Sequence, residues 1–474
     1  MWLGLHIFVV LLTVLRILSR ENLTSVTRLA WFLVVITLPM FGVIIYFLFG
    51  DVNLGRSINT RHKTVIEHIR SLHSTKLGDV VQLEGVIDEA YKPAFRYATS
   101  INGFGTTIGN RAELMPDAKT ARGRLLEDIE QAHSSVHVLY YIWLNDKTGT
   151  DMANALMRAA GRGVQCKAMV DGLGSRSFIK SVLWKDMQAA GVECSIALPF
   201  HRIIKTILFS RLDLRNHRKI TVIDGRVTYC GSQNCADPEF AVKAKYAPWV
   251  DIMLRFEGPV VAQNQLLFAS DWMLEEEASL EDFNFSAKPL KAGFPAQVWG
   301  DGPTERKGAT PEMFATLIAQ AQKTLTISTP YFIPDEKVLG ALCACAHRGV
   351  ETIIIFPARN DSWIVRAASR SYYRKLLEAG VVIYEFKGGL LHAKTLTIDG
   401  KISLLGSSNM DIRSFDLNYE NNVLLSDRKT TKAIYKRQRD YIANASLVEL
   451  ADINTWKLPG RVWNNVIATL GPIL

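Results

Sequence analysis

The chain has 474 residues, 48% of them hydrophobic and 21% charged, and carries a formal net charge of +9. That composition excludes a disordered chain and a small disulfide-stapled scaffold, and the length suffices for two ordinary domains beside a membrane segment. The positive balance favours an anionic partner, either a phospholipid surface or a nucleic acid.

The first apolar stretch, "WLGLHIFVVLLTVL" (Trp2 to Leu15), stops at Arg16 and reaches a spanning length only if Arg16 snorkels and the helix runs to Leu18. The second, "LAWFLVVITLPMFGVIIYFLFG" (Leu29 to Gly50), has no charged residue, is long enough to cross a bilayer, and has Trp31 and Tyr46 near its ends. A signal peptide fits less well, because there is no basic leading region and no small-x-small cleavage site. Residues 1–50 are therefore expected to form a hairpin of two transmembrane helices, about 2–18 and 29–50. Arg16, Arg20 and Arg28 lie between the spans and Arg56, Arg61, Lys63 and Arg70 follow them, so positive-inside counting leans toward the cytoplasm for the rest of the chain and leaves the side of the membrane open. Residues 51–115 read as a linker.

Beyond the linker the chain repeats. "LLEDIEQAHSSVHVLYYIW" (Leu125 to Trp143) is similar to "MFATLIAQAQKTLTISTPYFIP" (Met313 to Pro334), each a helix-period stretch leading into a strand rich in β-branched and aromatic residues. Each is followed by a helix ending in "RGV", an apolar strand, and another helix ending in "AGV". The fold class expected is α/β, with two sandwich halves, residues 116–290 and 291–474, related by a pseudo-twofold axis. The first half has an additional segment, Phe200 to Asn216, with apolar residues at helical spacing and Arg202, Lys205 and Arg211 elsewhere on the wheel. It reads either as a surface helix packed on the core or as a basic interfacial helix on anionic lipid.

The six cysteines, Cys166, Cys194, Cys230, Cys235, Cys343 and Cys345, read as reduced core thiols. The run "CACAH" (Cys343, Cys345, His347) invites a metal, but alignment with the first half sets these cysteines against Met157 and Ala159, which points to core packing.

The strongest signal is a motif present twice: "NHRKITVIDGRVTYCGSQN" (Asn216 to Asn234) and "LHAKTLTIDGKISLLGSSN" (Leu391 to Asn409). His217, Lys219, Asp224, Ser232 and Asn234 recur at identical offsets as His392, Lys394, Asp399, Ser407 and Asn409. Asp-Gly between two β-prone runs predicts a two-residue hairpin turn, which sets Ile223 opposite Arg226, Ser232 opposite His217, and Ser407 opposite His392. Imidazole, ammonium, hydroxyl and amide then share one face and suit a phosphate. Asp224 and Asp399 fall in the turn with the opposite parity, as builders of the hairpin. In a single copy, His and Lys on a strand would read as surface residues; two copies with one spacing point to chemistry.

"HRKITVID…GSQN" and "HAKTLTID…GSSN" resemble the paired H-x-K-x4-D signatures of the phospholipase D superfamily. More narrowly the chain resembles bacterial cardiolipin synthases, through its two N-terminal apolar segments, "YFLFG" followed by Arg56, "STPYFIPD" (Ser328 to Asp335) and "NMDIRSFDLNYE" (Asn409 to Glu420). The terminal "GPIL" departs from the pattern, which has a Ser before the Pro. The resemblance implies transfer of a phosphatidyl group between two phosphatidylglycerol molecules through a phosphohistidine, giving cardiolipin and glycerol at the bacterial cytoplasmic membrane. It implies His217 as nucleophile and His392 as acid and base, although the residues themselves allow the reverse. Lys219, Lys394, Asn234, Asn409, Ser232 and Ser407 would hold the phosphate, Asp224 and Asp399 complete the signature, and Asp251 and Glu420 would orient the imidazoles. No metal or other cofactor is implied. The competing readings are a membrane-bound phospholipase D that hydrolyses phospholipids and a non-catalytic lipid-binding scaffold, which the filled His and Lys positions oppose. A nucleic-acid phosphodiesterase is opposed by the membrane segment, and oligomeric state is left open.

Overall fold

The structure, a computed structural model, describes residues 2–21, 23–50, 85–199, 214–285 and 287–469, with isolated positions at 60, 64, 65, 67 and 83. Most of Phe200 to Asn216, most of the predicted linker, and the terminal "GPIL" lie outside the described residues.

The strands in chain order are β1 (Thr107–Leu114), β2 (Ser135–Tyr140), β3 (Gln165–Asp171), β4 (Glu193–Ala197), β5 (Arg215–Asn216), β6 (Ile220–Ile223), β7 (Val227–Gly231), β8 (Trp249–Val250) and β9 (Met253–Glu257). The second set is β10 (Phe294–Asp301), β11 (Thr324–Ser328), β12 (Phe332–Ile333), β13 (Glu351–Pro357), β14 (Val382–Phe386), β15 (Leu390–Leu391), β16 (Thr395–Ile398), β17 (Ile402–Gly406), β18 (Met410–Asp411), β19 (Asn418–Ser426) and β20 (Ala445–Val448). β1 and β10 pair antiparallel at the centre of one continuous sheet. Outward from β1 run β9, β7, β6, β2, β3 and β4; outward from β10 run β19, β17, β16, β11, β13 and β14. The two series match strand for strand, so the sequence repeat is a structural one. β1 lies in the stretch expected as linker, and is instead the seam strand of the sheet.

β3 and β13 lie between parallel neighbours on both sides and are buried on both faces, which is why they read as apolar strands. The "RGV" and "AGV" signals are helix ends. Gly163, Gly191, Gly349 and Gly380 all have positive φ, and the valine after each donates its N–H back to the carbonyl five residues earlier, as Val164 does to Ala159 (3.1 Å) and Val381 to Leu376 (3.0 Å). Only glycine adopts this left-handed cap without strain, and the valine then folds onto the core. Cys345 is buried in the core of the second half, in keeping with its packing role. Between the halves, the helix Val260–Glu275 is buried on every side along Val260 to Trp272.

The N-terminal segment departs from expectation. α1 (Trp2–Leu18), α2 (Ser25–Thr37) and α3 (Pro39–Ile45, continued by a π-turn over Tyr46–Gly50) are all short, and among the described residues no helix is long and apolar enough to cross a membrane. The stretch Leu29–Gly50 is not one helix. Pro39 has no N–H to offer and its ring drives the preceding residue out of the helical region, so α2 ends and Leu38 sits at φ −125°, ψ 64°. α3 starts with Pro39 in its first turn and packs back along α2: the Trp31 and Tyr46 rings, expected at opposite ends of a span, have centroids 5.4 Å apart and meet edge to face.

Candidate active site

Both copies of the motif lie at the junction of the two halves. β5 leaves its own half and pairs in parallel with β19, and the His217 N–H donates to the Tyr419 carbonyl (2.8 Å). β15 pairs with β8 in the same way, and the His392 N–H donates to the Val250 carbonyl (2.8 Å). Each histidine thus directly follows a two-residue strand whose partner belongs to the other half.

The two halves also exchange carboxylates. His392 Nδ1 is 2.6 Å from Asp251 Oδ1, and His217 Nδ1 is 3.3 Å from Glu420 Oε1 and 3.2 Å from the Asn418 amide. Asp251 and Glu420 are buried in the site, so each carboxylate orients an imidazole that comes from the opposite repeat. With Nδ1 engaged, the Nε2 edge of each ring is the one left for a reacting group. Tyr141 packs against His217 (centroids 4.0 Å) and Trp249 against His392 (4.6 Å), fixing each ring from the side.

The lysines follow at i+2 and face the same cavity. Lys219 Nζ donates to the His217 carbonyl (2.5 Å) and Lys394 Nζ to the His392 carbonyl (2.6 Å). Between His217 and Lys219, Arg218 points the other way and pairs with Asp271 on the central buried helix (2.5 Å), while its Nε donates to the Glu420 carbonyl. Burial pushes His217 down to about 4, Lys219 to about 8 and Lys394 to about 7. Burial and the neighbouring Lys394 charge also lower His392, against the pull of Asp251. Burial raises both carboxylates, but the histidine and lysine charges outweigh it and hold Asp251 and Glu420 below their ordinary values. The site therefore concentrates buried amines whose charge a bound anion would favour.

His217, Lys219, Asn234, His392, Lys394, Ser407 and Asn409 all line one cavity of about 760 Å³, with Arg176, Lys180 and Arg413 on its wall. Of the two serines only Ser407 reaches the cavity, and neither stands opposite its histidine as expected. Ser232 turns from the cavity and donates to Asp251 Oδ1 (2.6 Å), while the Ser407 hydroxyl is engaged with the Asn421 backbone. The cause is a register one residue away from the predicted one: Ile223 pairs with Val227 and Ile398 with Ile402, so Arg226 and Lys401 are each an extra turn residue.

Asp224 and Asp399, grouped with the catalytic residues through the signature, do not line the cavity. Both sit in the turns at positive φ (51° and 54°), where a short polar side chain is tolerated. The Asp224 carboxylate accepts from the N–H groups of His133, Ser134 and Ser135; that of Asp399 accepts from Gln322, Lys323 and Thr324 and from the Tyr91 hydroxyl. They anchor each hairpin to the start of its neighbouring strand.

Sequence reasoning passed over Tyr141, Trp249 and Arg218. Trp249 carried a usable signal, since it stands two residues before Asp251 and so shares its face; Tyr141 follows the C-terminal end of β2, where α/β sheets open their crevices.

The chain matches the family model described as "Cardiolipin synthase, PLD-like domain" over residues 125–267 and 314–440, and the model described as phospholipase D-nuclease N-terminal over residues 7–50. Cardiolipin synthase A of Edwardsiella ictaluri is 33% identical over 471 residues, which cover 96% of this chain and 93% of the relative. That of Serratia proteamaculans is 34% identical over 466 residues, covering 97% and 95%. Among solved structures, phosphatidylserine synthase of Haemophilus influenzae superposes on 81% of this chain and 100% of its own with a TM-score of 0.59 at 15% identity, a likeness of fold.

Proposed function

The chain belongs to the cardiolipin synthase family of phospholipase D-like proteins, and from this we propose that it transfers a phosphatidyl group from one phosphatidylglycerol to another, releasing glycerol and cardiolipin. The observation that carries the chemistry is the pair of imidazoles in one cavity, each held at Nδ1 by a carboxylate from the opposite half and each followed by a buried lysine.

His217 is the nucleophile. Its depressed proton affinity keeps the ring neutral, with a lone pair for phosphorus. It attacks the phosphodiester, the bond to glycerol breaks, and His392, bonded at Nδ1 to Asp251 (2.6 Å) and protonated once the anionic phosphodiester is bound, gives its proton to the departing oxygen. A second phosphatidylglycerol then loses its terminal hydroxyl proton to His392, its oxygen attacks phosphorus, and the P–N bond breaks to return neutral His217. Lys219, Lys394, Asn234 and Asn409 hold the non-bridging oxygens as charge develops on them. The chain acts at the bacterial cytoplasmic membrane, a reading supported by the exposed apolar surface of α1 to α3 and by the basic cavity wall.

Labelled phosphatidylglycerol supplied to the purified, lipid-reconstituted protein tests this. Cardiolipin with stoichiometric glycerol is expected. Phosphatidic acid as sole labelled product would mean hydrolysis, and neither product would leave a lipid-binding scaffold.

A further inference from the structure

The fold-back of the second apolar segment bears on how the protein meets lipid. Gly42 lies so close to α2 that a Cβ there would fall 2.3 Å from the Val34 carbonyl oxygen, so α2 and α3 are in backbone contact as an antiparallel pair. Both ends of this pair return to the catalytic body: Arg20, Leu23 and Gly50 line one crevice together with Pro303, Lys307 and Phe415. The outward surface of the pair is apolar along its length, from Val26 and Leu29 at the base to the tip. Leu38, Met40, Phe41 and Ile44 are all more than half exposed, Phe41 at 73%, on a stretch that has no charged residue from Leu29 to Gly50. An exposed patch of this kind on a water-facing tip would be an aggregation liability, whereas hydrocarbon accommodates it.

We propose that residues 25–50 form a re-entrant wedge that enters and leaves the membrane on the side occupied by the catalytic body, with lipid acyl chains as the occupant of its exposed face. The dimensions agree. α2, with 13 residues, rises roughly 20 Å, short of the roughly 30 Å hydrocarbon core. The turn at the tip is built for a place without water: Pro39 has no N–H to satisfy, the Leu38 N–H donates to Val34 O (3.0 Å), and the Gly42 N–H donates to Leu38 O. At the base, Arg28 clamps the connection between α1 and α2 by donating to the Arg20 carbonyl (2.8 Å) and the Leu23 carbonyl (3.3 Å), which holds its charge at headgroup level. The wedge thereby sets the cavity mouth at a fixed height over one leaflet.

The inference rests on the membrane-bound reading above, and its test is independent of which lipid product forms. Full-length variants Glu21→Cys, on the connection between α1 and α2, and Glu277→Cys, on the catalytic body, are labelled with a membrane-impermeant thiol reagent in sealed vesicles of known orientation. Both positions are exposed and outside the catalytic cavity. Labelling of both from the same face is expected; labelling from opposite faces overturns the proposal, because a spanning Leu29–Gly50 helix would separate them. A second variant, Trp31→Cys with Tyr46→Cys, is treated with a short bis-maleimide in native membranes. An intramolecular cross-link is expected, whereas a straight helix would hold these positions roughly 22 Å apart and give none. Cardiolipin formation is measured separately on each variant, so loss of activity and loss of topology are read independently.

Discussion

The carboxylate of Asp251, in the first half, lies 2.6 Å from Nδ1 of His392, in the second. The reciprocal contact, Glu420 to His217, is longer at 3.3 Å and shared with the Asn418 amide. The two imidazoles are thus held by unequal partners, and the proposed division into acid and nucleophile rests on this inequality in a site that is otherwise nearly symmetric.

Asp251→Asn removes the charge that raises the proton affinity of His392 against burial and Lys394, while leaving the shape of the site. Turnover with phosphatidylglycerol is expected to fall by about 10²- to 10⁴-fold, the range for losing a positioned general acid. A substrate with an acidic leaving group, such as a phosphatidyl nitrophenol, is expected to restore the first step, because its departing oxygen needs no proton. Burst kinetics with and without the activated leaving group check this.

His392→Ala is expected to accumulate a covalent phosphohistidine with the same activated substrate, and His217→Ala none. Acid quench and mass spectrometry locate the modified residue. Modification at His392 in the unmutated chain would reverse the assignment.

The lysines set a pH dependence. Lys394 and Lys219 titrate at about 7 and about 8 in the empty site, well below a free lysine, because burial disfavours their charge. As pH rises through 7 to 8 the free enzyme loses the charges that hold phosphate, so kcat/KM is expected to fall, and Lys394→Arg to move that limb upward. The stability of the empty fold runs in the opposite direction. Between pH 7 and about 10 the unfolded lysines bind protons that the folded ones do not, so these two groups make the fold more stable as pH rises. Calorimetry of a phosphodiester ligand in buffers of different ionisation enthalpy is expected to show proton uptake near pH 8.

Asp224→Ala and Asp399→Ala are expected to act on the fold rather than the reaction. Each strips the acceptor from a fan of partly exposed N–H groups, at a cost of about 1–2 kcal/mol per site. Thermal melting should drop while the folded fraction keeps its kcat. Asn at either position should recover part of the loss, because it retains one acceptor and tolerates positive φ.

Much of this was legible in the sequence. The repeat, the cap glycines at "RGV" and "AGV", and the placing of His, Lys and Asn on one cavity all rest on local period and spacing, which a strand or helix obeys wherever it is packed. What escaped is which partner each residue meets across the junction, 141 positions away in the case of Asp251 and His392. The pairing of β5 with β19, and of Asp251 with His392, has no local signature. The predicted pairing of each serine with its histidine failed for a smaller reason: one extra residue in the turn, Arg226 or Lys401, shifts the register of the return strand by one. The second apolar stretch misled because composition reports that a segment is apolar but not whether Pro39 lets it run straight.

The strand exchange at the junction makes the two repeats mutually dependent. Either one expressed alone would present an imidazole stripped of its carboxylate, an acid with no ring to orient, and a raw strand edge where β19 or β8 should lie. The smallest working unit is therefore the couple. A break in the chain between Glu275 and Phe294 could be tolerated, since reassembly of two fragments restores every contact, whereas deletion of either repeat abolishes both active histidines at once.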